Sequence, residues 1–180
     1  MTERAEPGPG RRLVLLRHAK SARPEGVPDH ERPLAPRGRR DAPAAGRALA
    51  EAGCLPDLAL CSTALRARQT WELACAQWSD PPPVRYDARL YHADATRLLD
   101  VVREAPAQTA TLLLLGHDPA LVDLALHLAG EGAGDTLDRV RAAFSTSALA
   151  ILTWHGPTWQ VLTGQAARLT AVTVPRGQRT

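Results

Sequence analysis

The chain has 180 residues, 44% of them hydrophobic, and a formal net charge of +3 at pH 7. This length and composition suit one domain with a sizeable core, and no apolar run reaches the roughly 18 residues that a membrane span needs. Aromatic residues make up only 4% of the chain and are not interleaved with basic residues, which argues against a nucleic-acid-binding surface.

The N-terminal residues 1–12 are polar and rich in proline and glycine. They predict a disordered leader, and they lack the apolar core of a secretory signal peptide. The three cysteines, Cys54, Cys61 and Cys75, form neither an even set nor a metal-binding spacing. We therefore interpret them as reduced thiols and predict a cytoplasmic protein.

The first structural signal is the apolar stretch Leu13–Leu16, which is followed directly by Arg17 and His18. Four apolar residues in a row predict a short buried strand. In open α/β sheets, ligands lie just beyond the carboxyl ends of strands. There, a guanidinium can hold an anion in a fork of hydrogen bonds, and an imidazole nitrogen can attack it.

The middle of the chain alternates predicted strands and helices. The prolines between residues 22 and 36 exclude a regular helix and predict a long loop. After Cys61, the pair Ser62 and Thr63 is placed to cap the next helix. Further strands are predicted at 55–61, 84–86 and 111–115, and helices at 39–53, 64–80, 95–104 and 121–130.

The C-terminal part is different in character. Residues 130–134 are glycine-rich but follow a helix, so they predict a flexible loop and not a nucleotide cradle. The apolar stretches 148–152 and 159–162 flank a turn-like segment and predict an antiparallel hairpin. Residues 175–180 predict a loose tail, which leaves 13–174 as a single domain.

This alternation predicts an α/β fold. We expect a three-layer sandwich, in which a mostly parallel central sheet is covered by helices on both faces and ends in the antiparallel hairpin. In such a sheet the carboxyl ends of successive strands lie at one edge. Arg17 and His18, Arg66 and His117 should therefore meet there. Two arginines and two histidines would repel each other without an anion, which points to phosphate.

The segments that carry these residues resemble a known family. Leu-Arg-His-Ala-Lys-Ser at 16–21, Ser-Thr-Ala-Leu-Arg-Ala-Arg-Gln-Thr at 62–70 and Gly-His-Asp-Pro at 116–119 are similar to motifs of the histidine phosphatase (phosphoglycerate mutase-like) superfamily. The closest likeness is to its SixA-like phosphohistidine phosphatase branch, and it spans roughly residues 13–165.

The resemblance implies a phosphoglycerate mutase-like fold and a phosphatase that needs no metal or cofactor. His18 is then the nucleophile that forms a phosphohistidine intermediate. Arg17, Arg66 and His117 are the groups that bind the phosphoryl oxygens, where charge develops during transfer. The partner is a phosphorylated substrate, and neither nucleic acid nor a membrane is implied.

The substrate prediction depends on a departure from the family pattern. Many members carry a carboxylic general acid after the third strand, where this chain has His92 and Asp94, and neither aligns securely with it. An acid matters most for poor leaving groups, whereas an imidazole leaves readily. We therefore predict action on protein phosphohistidine. The alternatives are a small-molecule phosphomonoesterase and a non-catalytic phosphate-binding scaffold.

Other polar residues near these motifs have simpler interpretations. Whether Lys20 and Ser21 touch phosphate is left open. Arg68 is interpreted as an exposed charge on its helix, with a contribution to the pocket as the alternative. His30 is interpreted as a solvated loop residue, and Asp118 as the cap of the following helix.

Overall fold

The computed structural model describes residues 10–178. The predicted leader lies mostly outside this range, except that the first strand begins at Arg11, two residues earlier than predicted. Residues 179–180 of the predicted tail also lie outside it. Its described part is held against the first helix, because Arg176 Nη1 and Gly177 N donate to the Asp41 carboxylate at 3.1 and 3.0 Å.

Seven strands form one sheet in the order β3-β2-β4-β1-β6-β7-β5. Strands β3, β2, β4 and β1 are mutually parallel, β6 is antiparallel to both β1 and β7, and β5 is parallel to β7. The mostly parallel sheet and the antiparallel C-terminal pair are thus confirmed. The strands are β1 Arg11–Arg17, β2 Leu58–Ser62, β3 Val84–Asp87, β4 Thr111–Gly116, β5 Ala129–Gly132, β6 Leu149–Trp154 and β7 Ala167–Thr173.

Helices cover both faces of the sheet, which confirms the three-layer α/β sandwich. Helices α1 and α2 pack on one face, and α3, α4 and α5 on the other. None of the helices within residues 10–178 is long and apolar enough to cross a membrane. The helices are α1 Pro36–Glu51, α2 Leu65–Cys75, α3 Ala95–Arg103, α4 Ala120–Leu128 and α5 Thr136–Ala142.

The two central strands, β1 and β4, have continuous apolar sequences because both of their faces are buried. β1 lies between β4 and β6, and both of its faces are covered by helices. Leu13 and Leu15 face the layer of α3, α4 and α5, whereas Val14 and Leu16 face α1 and α2. A strand buried on both sides needs no polar residue until it ends, so the first polar side chains mark the edge of the sheet.

The predicted hairpin has the wrong second strand. Residues Trp159–Val161 form a 3₁₀ turn, and β7 pairs with β6 instead. The apolar character of the turn reflects the buried Trp159 ring, whose Nε1 donates to the carbonyl of Thr109 at 2.9 Å. An indole that buries its ring and pairs its N–H stabilises a turn as well as a strand.

The predicted flexible loop at 130–134 is also wrong, because its first part belongs to the edge strand β5. Gly130 permits this pairing. A Cβ atom at that position would lie 2.3 Å from the carbonyl oxygen of Gln165. The glycine therefore marks a close backbone approach between β5 and the turn that leads into β7.

A second glycine shapes the active edge of the sheet. Helix α1 begins at Pro36, earlier than predicted, and Gly38 lies in its first turn. A Cβ atom on Gly38 would lie 2.1 Å from the carbonyl oxygen of Lys20. This glycine therefore lets the start of α1 pack against the segment that follows His18.

Candidate active site

Three adjacent strands deliver the predicted residues to one edge of the sheet. β2, β4 and β1 are neighbours, and their carboxyl ends lead to Arg66, His117 and His18 respectively. The imidazole centroids of His18 and His117 are 5.1 Å apart. Arg17, His18 and Arg66 line one pocket, and Arg66 and His117 line the cavity beside it. The structure thus brings all four together.

His18 is buried and held in one tautomer. Its Nδ1 lies 2.8 Å from the carbonyl oxygen of Ala19, and a carbonyl oxygen can only accept. Nδ1 therefore carries the hydrogen, and the lone pair is on Nε2. Burial, with further contributions from Arg66 and Arg17 against the opposing hydrogen bond to Ala19, lowers the pKa of His18 from 6.5 to about 4. The ring is neutral at physiological pH.

His117 is likewise neutral. Its Nε2 lies 2.8 Å from the hydroxyl of Ser62 at the end of β2. Burial first, then the neighbouring His18 and Arg66, lower its pKa from 6.5 to about 3. Ser62 is thus a site residue, and the prediction that Ser62 and Thr63 cap α2 is wrong, because this helix has no side-chain cap.

Arg66 is buried and held by Asp29, a residue that the sequence did not single out. Its Nη1 donates to the Asp29 carbonyl oxygen at 2.7 Å, and its Nη2 to Asp29 Oδ2 at 3.1 Å. The Tyr91 hydroxyl also donates to Oδ2, at 2.6 Å, and Arg32 Nη1 donates to Oδ1 at 2.8 Å. These donors, Tyr91 first, hold the pKa of Asp29 below its usual range.

Arg17 is held in a similar way. Its Nη1 donates to Asp118 Oδ2 at 3.0 Å and to the carbonyl oxygen of Phe144 at 2.8 Å. Asp118 therefore does not cap α4 as predicted, because Pro119 occupies the cap position of that helix without a side-chain hydrogen bond. Arg17 and Arg66 are thus each oriented by one carboxylate and one backbone carbonyl, a pattern typical of fixed, charge-assisted contacts.

Two neighbouring spaces lie over these residues. One is a pocket of about 140 Å³ at the end of β1, which contains His18. The other is a cavity of about 360 Å³ beside His117, with Tyr91 and His92 in its wall. Arg66 lines both. Eight residues line the smaller pocket: Arg17, His18, Lys20, Ser21, Arg23, Arg32, Arg66 and Thr146.

The residues with open or minor roles are also placed by the structure. Arg68 is half-buried and does not line either space, in keeping with a helix surface residue. Asp94 accepts from the backbone N of Arg97 at 2.8 Å and caps α3. His92 stacks on Tyr91 with ring centroids 3.9 Å apart and has a left-handed backbone, with φ of 55°.

His30 differs from its prediction as a solvated residue. Its Nε2 lies 2.9 Å from the Thr63 hydroxyl, and its ring meets Tyr91 edge-on at 4.8 Å. The missed residues Asp29 and Arg32 sit in a 3₁₀ turn and directly after it, within the proline-rich loop. The one sequence signal for them was an acidic and a basic residue three positions apart in that loop.

Together, a strand-end histidine with a free lone pair and two clamped arginines define a site for phosphoryl chemistry on an α/β sandwich. The model of the histidine phosphatase superfamily (branch 1) matches residues 13–150. The chain therefore belongs to the histidine phosphatase superfamily and is a phosphatase.

The chain is similar to individual proteins over nearly its whole length. The chain is 41% identical over 163 residues to the uncharacterized protein Rv1276c of Mycobacterium tuberculosis, a match that covers 89% of this chain and 100% of that protein. Among solved structures, it is similar to a candidate phosphohistidine phosphatase SixA from Nakamurella multipartitia, with a TM-score of 0.83 and 34% identity over 94% of this chain and 99% of the other. The SixA structure from Agrobacterium tumefaciens has a TM-score of 0.75 and 28% identity, covering 92% and 99%.

Proposed function

We propose that this phosphatase works without a metal ion, through a phosphohistidine intermediate on His18, and that its substrate is phosphohistidine in a protein. One observation carries the mechanism. His18 is held with Nδ1–H toward the Ala19 carbonyl, which leaves the lone pair on Nε2, and the pocket that His18 lines is also lined by four guanidiniums. A neutral, oriented imidazole beside fixed cations is what attack on a phosphoryl group requires.

The reaction then proceeds in two transfers. In the first, Nε2 of His18 forms a bond to phosphorus while the bond from phosphorus to the leaving nitrogen breaks. The electron pair of that bond goes to the leaving ring, whose other nitrogen is already protonated, so that it departs as neutral imidazole. In the second, water attacks the same phosphorus, the bond to Nε2 breaks, inorganic phosphate leaves, and the water proton goes to solvent. His18 returns to its neutral form.

The other groups stabilise the transferred phosphoryl group. Arg17 and Arg66 are permanently charged and are already oriented by their carboxylates, so binding needs little reorganisation. His117 contacts Ser62 through Nε2, which leaves Nδ1 as the nitrogen that serves a phosphoryl oxygen. The arginines supply the positive charge that a metal ion supplies in other phosphatases.

The placement of the acidic residues supports a substrate with a good leaving group. Asp94 is engaged as a helix cap, and the low pKa of Asp29 keeps its carboxylate ionised at neutral pH. Asp118 is paired with Arg17. A phosphoramidate, whose imidazole departs with little help from an acid, suits this arrangement better than an alkyl phosphate.

One observation favours a second candidate, a small-molecule phosphomonoesterase. The cavity of about 360 Å³ next to His117 has room for a compact leaving group, and the His92 imidazole lies in its wall. A substrate screen separates the two candidates. Hydrolysis of a phosphohistidine-bearing protein and of p-nitrophenyl phosphate, with none of sugar phosphates, supports the first, and rapid hydrolysis of sugar phosphates supports the second.

The mechanism is tested with His18→Ala. We expect turnover to be lost while the fold is retained, since this side chain is the proposed nucleophile. Rapid quenching with labelled substrate should trap a base-stable, acid-labile phosphoenzyme in the parent only. His127→Ala, at the far end of α4, is the matched control. Undiminished turnover or an unchanged phosphoenzyme in His18→Ala would refute the assignment of His18 as the nucleophile. Because turnover of any kind is incompatible with a non-catalytic phosphate-binding scaffold, undiminished turnover would refute that alternative as well.

A further inference from the structure

The pocket around His18 contains more positive charge than its own carboxylates balance. Five permanently or normally charged cationic side chains line it. The three inner ones are arginines that pair with an aspartate: Arg17 with Asp118, and both Arg32 and Arg66 with Asp29. The two outer ones are Lys20 and Arg23.

Lys20 and Arg23 differ from the inner three. Both are exposed, and within residues 10–178 neither forms an ion pair shorter than 4 Å. Glu25, the acidic residue closest to them in the sequence, does not line the pocket. These two cations are therefore available to a ligand that enters beside the phosphoryl group.

The backbone that carries them is firmly held. The Lys20 carbonyl oxygen accepts from Ala35 N at 2.9 Å, and Ala22 N donates to the Pro33 carbonyl oxygen at 2.8 Å. Gly38 allows α1 to pack directly against Lys20. The two side chains thus start from fixed positions at the pocket rim, so that little backbone ordering is lost when they bind an anion.

The charge balance indicates what kind of ligand they take. The three inner arginines and two aspartates leave one net positive charge, and a phosphoryl dianion changes this to one net negative charge. Lys20 and Arg23 return the total to one positive charge. The complete pocket therefore balances one further anionic group besides the transferred phosphoryl group.

We infer that Lys20 and Arg23 form an anion subsite that binds a carboxylate flanking the phosphorylated residue of the substrate. This inference rests on the proposed phosphoryl-binding role of the pocket, and it names an acidic segment next to phosphohistidine as the preferred substrate. Such complementary charge at the rim of a site contributes mainly to selectivity and to the rate of encounter.

The test compares two phosphohistidine peptides that differ only in carrying acidic or neutral residues beside the phosphohistidine. The variant is Lys20→Gln/Arg23→Gln, and the control, which removes the same charge elsewhere, is Arg47→Gln/Arg139→Gln. We expect the preference of the parent for the acidic peptide, taken as the ratio of the two kcat/KM values, to fall roughly tenfold in the variant and to stay in the control, since ion pairs at an exposed rim each contribute modestly.

A second pair of substrates, 4-carboxyphenyl phosphate and phenyl phosphate, tests the subsite independently of whether phosphohistidine is the substrate. If neither peptide is hydrolysed, phosphohistidine as the substrate is wrong, and the subsite is judged from the aryl pair by the same ratio. An equal loss for anionic and neutral substrates would show that Lys20 and Arg23 bind the phosphoryl group itself. Unchanged kcat/KM values for both substrates would show that they bind no anion, and either result would overturn the inference.

Discussion

The buried imidazole of His18 should make the protein less stable in acid, by an amount that follows from its pKa. Above pH 6.5 the ring is neutral in both the folded and the unfolded chain and contributes no pH dependence. Below pH 6.5 the unfolded chain binds a proton, whereas the folded chain does not until about pH 4. The free energy of unfolding therefore falls as the pH drops from 6.5 to about 4, and the contribution is constant below that.

The magnitude follows from the two pKa values. The difference between 6.5 and about 4 corresponds to about 3 kcal/mol at 25 °C. His18 is only 8% exposed, so solvent screening leaves most of this effect in place. His117, with a pKa of about 3, acts in the same direction and steepens the loss. Such a change is a large fraction of the stability of an ordinary domain.

The assay is urea unfolding at a series of pH values between 7.5 and 4, followed by tryptophan fluorescence, to which the buried Trp71, Trp78 and Trp159 contribute. The variant His18→Gln removes the titrating ring, so its stability should depend less on pH, and the two curves should converge by about 3 kcal/mol toward pH 4. His127→Gln is the control for loss of a histidine elsewhere. Parallel curves for the parent and His18→Gln would refute the reasoning.

Three further predictions concern the pocket. Asp29→Asn should lower kcat/KM roughly 10- to 100-fold, because Arg66 and Arg32 lose a charged acceptor. The control Glu31→Gln, which removes a nearby carboxylate, should have little effect. Tighter vanadate binding in Asp29→Asn would instead show that Asp29 competes with phosphate. Arg66→Ala should weaken vanadate binding by roughly 1.5–3 kcal/mol in calorimetric titration, and unchanged affinity would place Arg66 outside the binding site. Activity should survive exhaustive EDTA treatment, since Arg17 and Arg66 are oriented to supply the positive charge, and loss that a divalent ion reverses would contradict this.

The sheet and the histidines were predictable because their signals are local. β1 and β4 are buried on both faces, so their apolar runs are continuous and stop where the sheet ends. The polar residues that follow, Arg17, His18 and His117, must then lie at that edge. The resemblance to the family motifs points independently to the same residues. The strand order β2-β4-β1 then places them side by side.

The errors occurred where tertiary contacts decide the local structure. The turn at Trp159 has a strand-like apolar pattern because its ring is buried. The glycines at 130–134 look flexible, yet Gly130 is required for a close approach between backbones. In both cases a segment that is distant in the sequence determines the local structure, and the local hydrophobic periodicity carries no information about that segment.

The carboxylate partners of the arginines could not be predicted either, because they also depend on tertiary contacts. Asp29 lies 37 positions from Arg66 in the sequence, and it reaches Arg66 only because the proline-rich loop folds over the start of α2. Asp118 and Arg17 meet because β1 and β4 are paired in parallel register, with Arg17 opposite Gly116. A local reading of Asp118 as a helix cap could not detect this pairing.

These partners explain how the pocket can contain its three inner arginines and still keep a neutral nucleophile. Without Asp29 and Asp118, the empty pocket would place three uncompensated charges around His18, and the arginines would move apart or the fold would lose stability. With them, one net positive charge remains among the inner groups, and this attracts a phosphoryl dianion without holding it too strongly. Because inorganic phosphate carries a similar charge to the substrate group, a more positive pocket would retain the product and slow turnover. The carboxylates therefore serve two requirements at once: they fix the donors that stabilise the transferred group, and they limit the attraction that would delay its release.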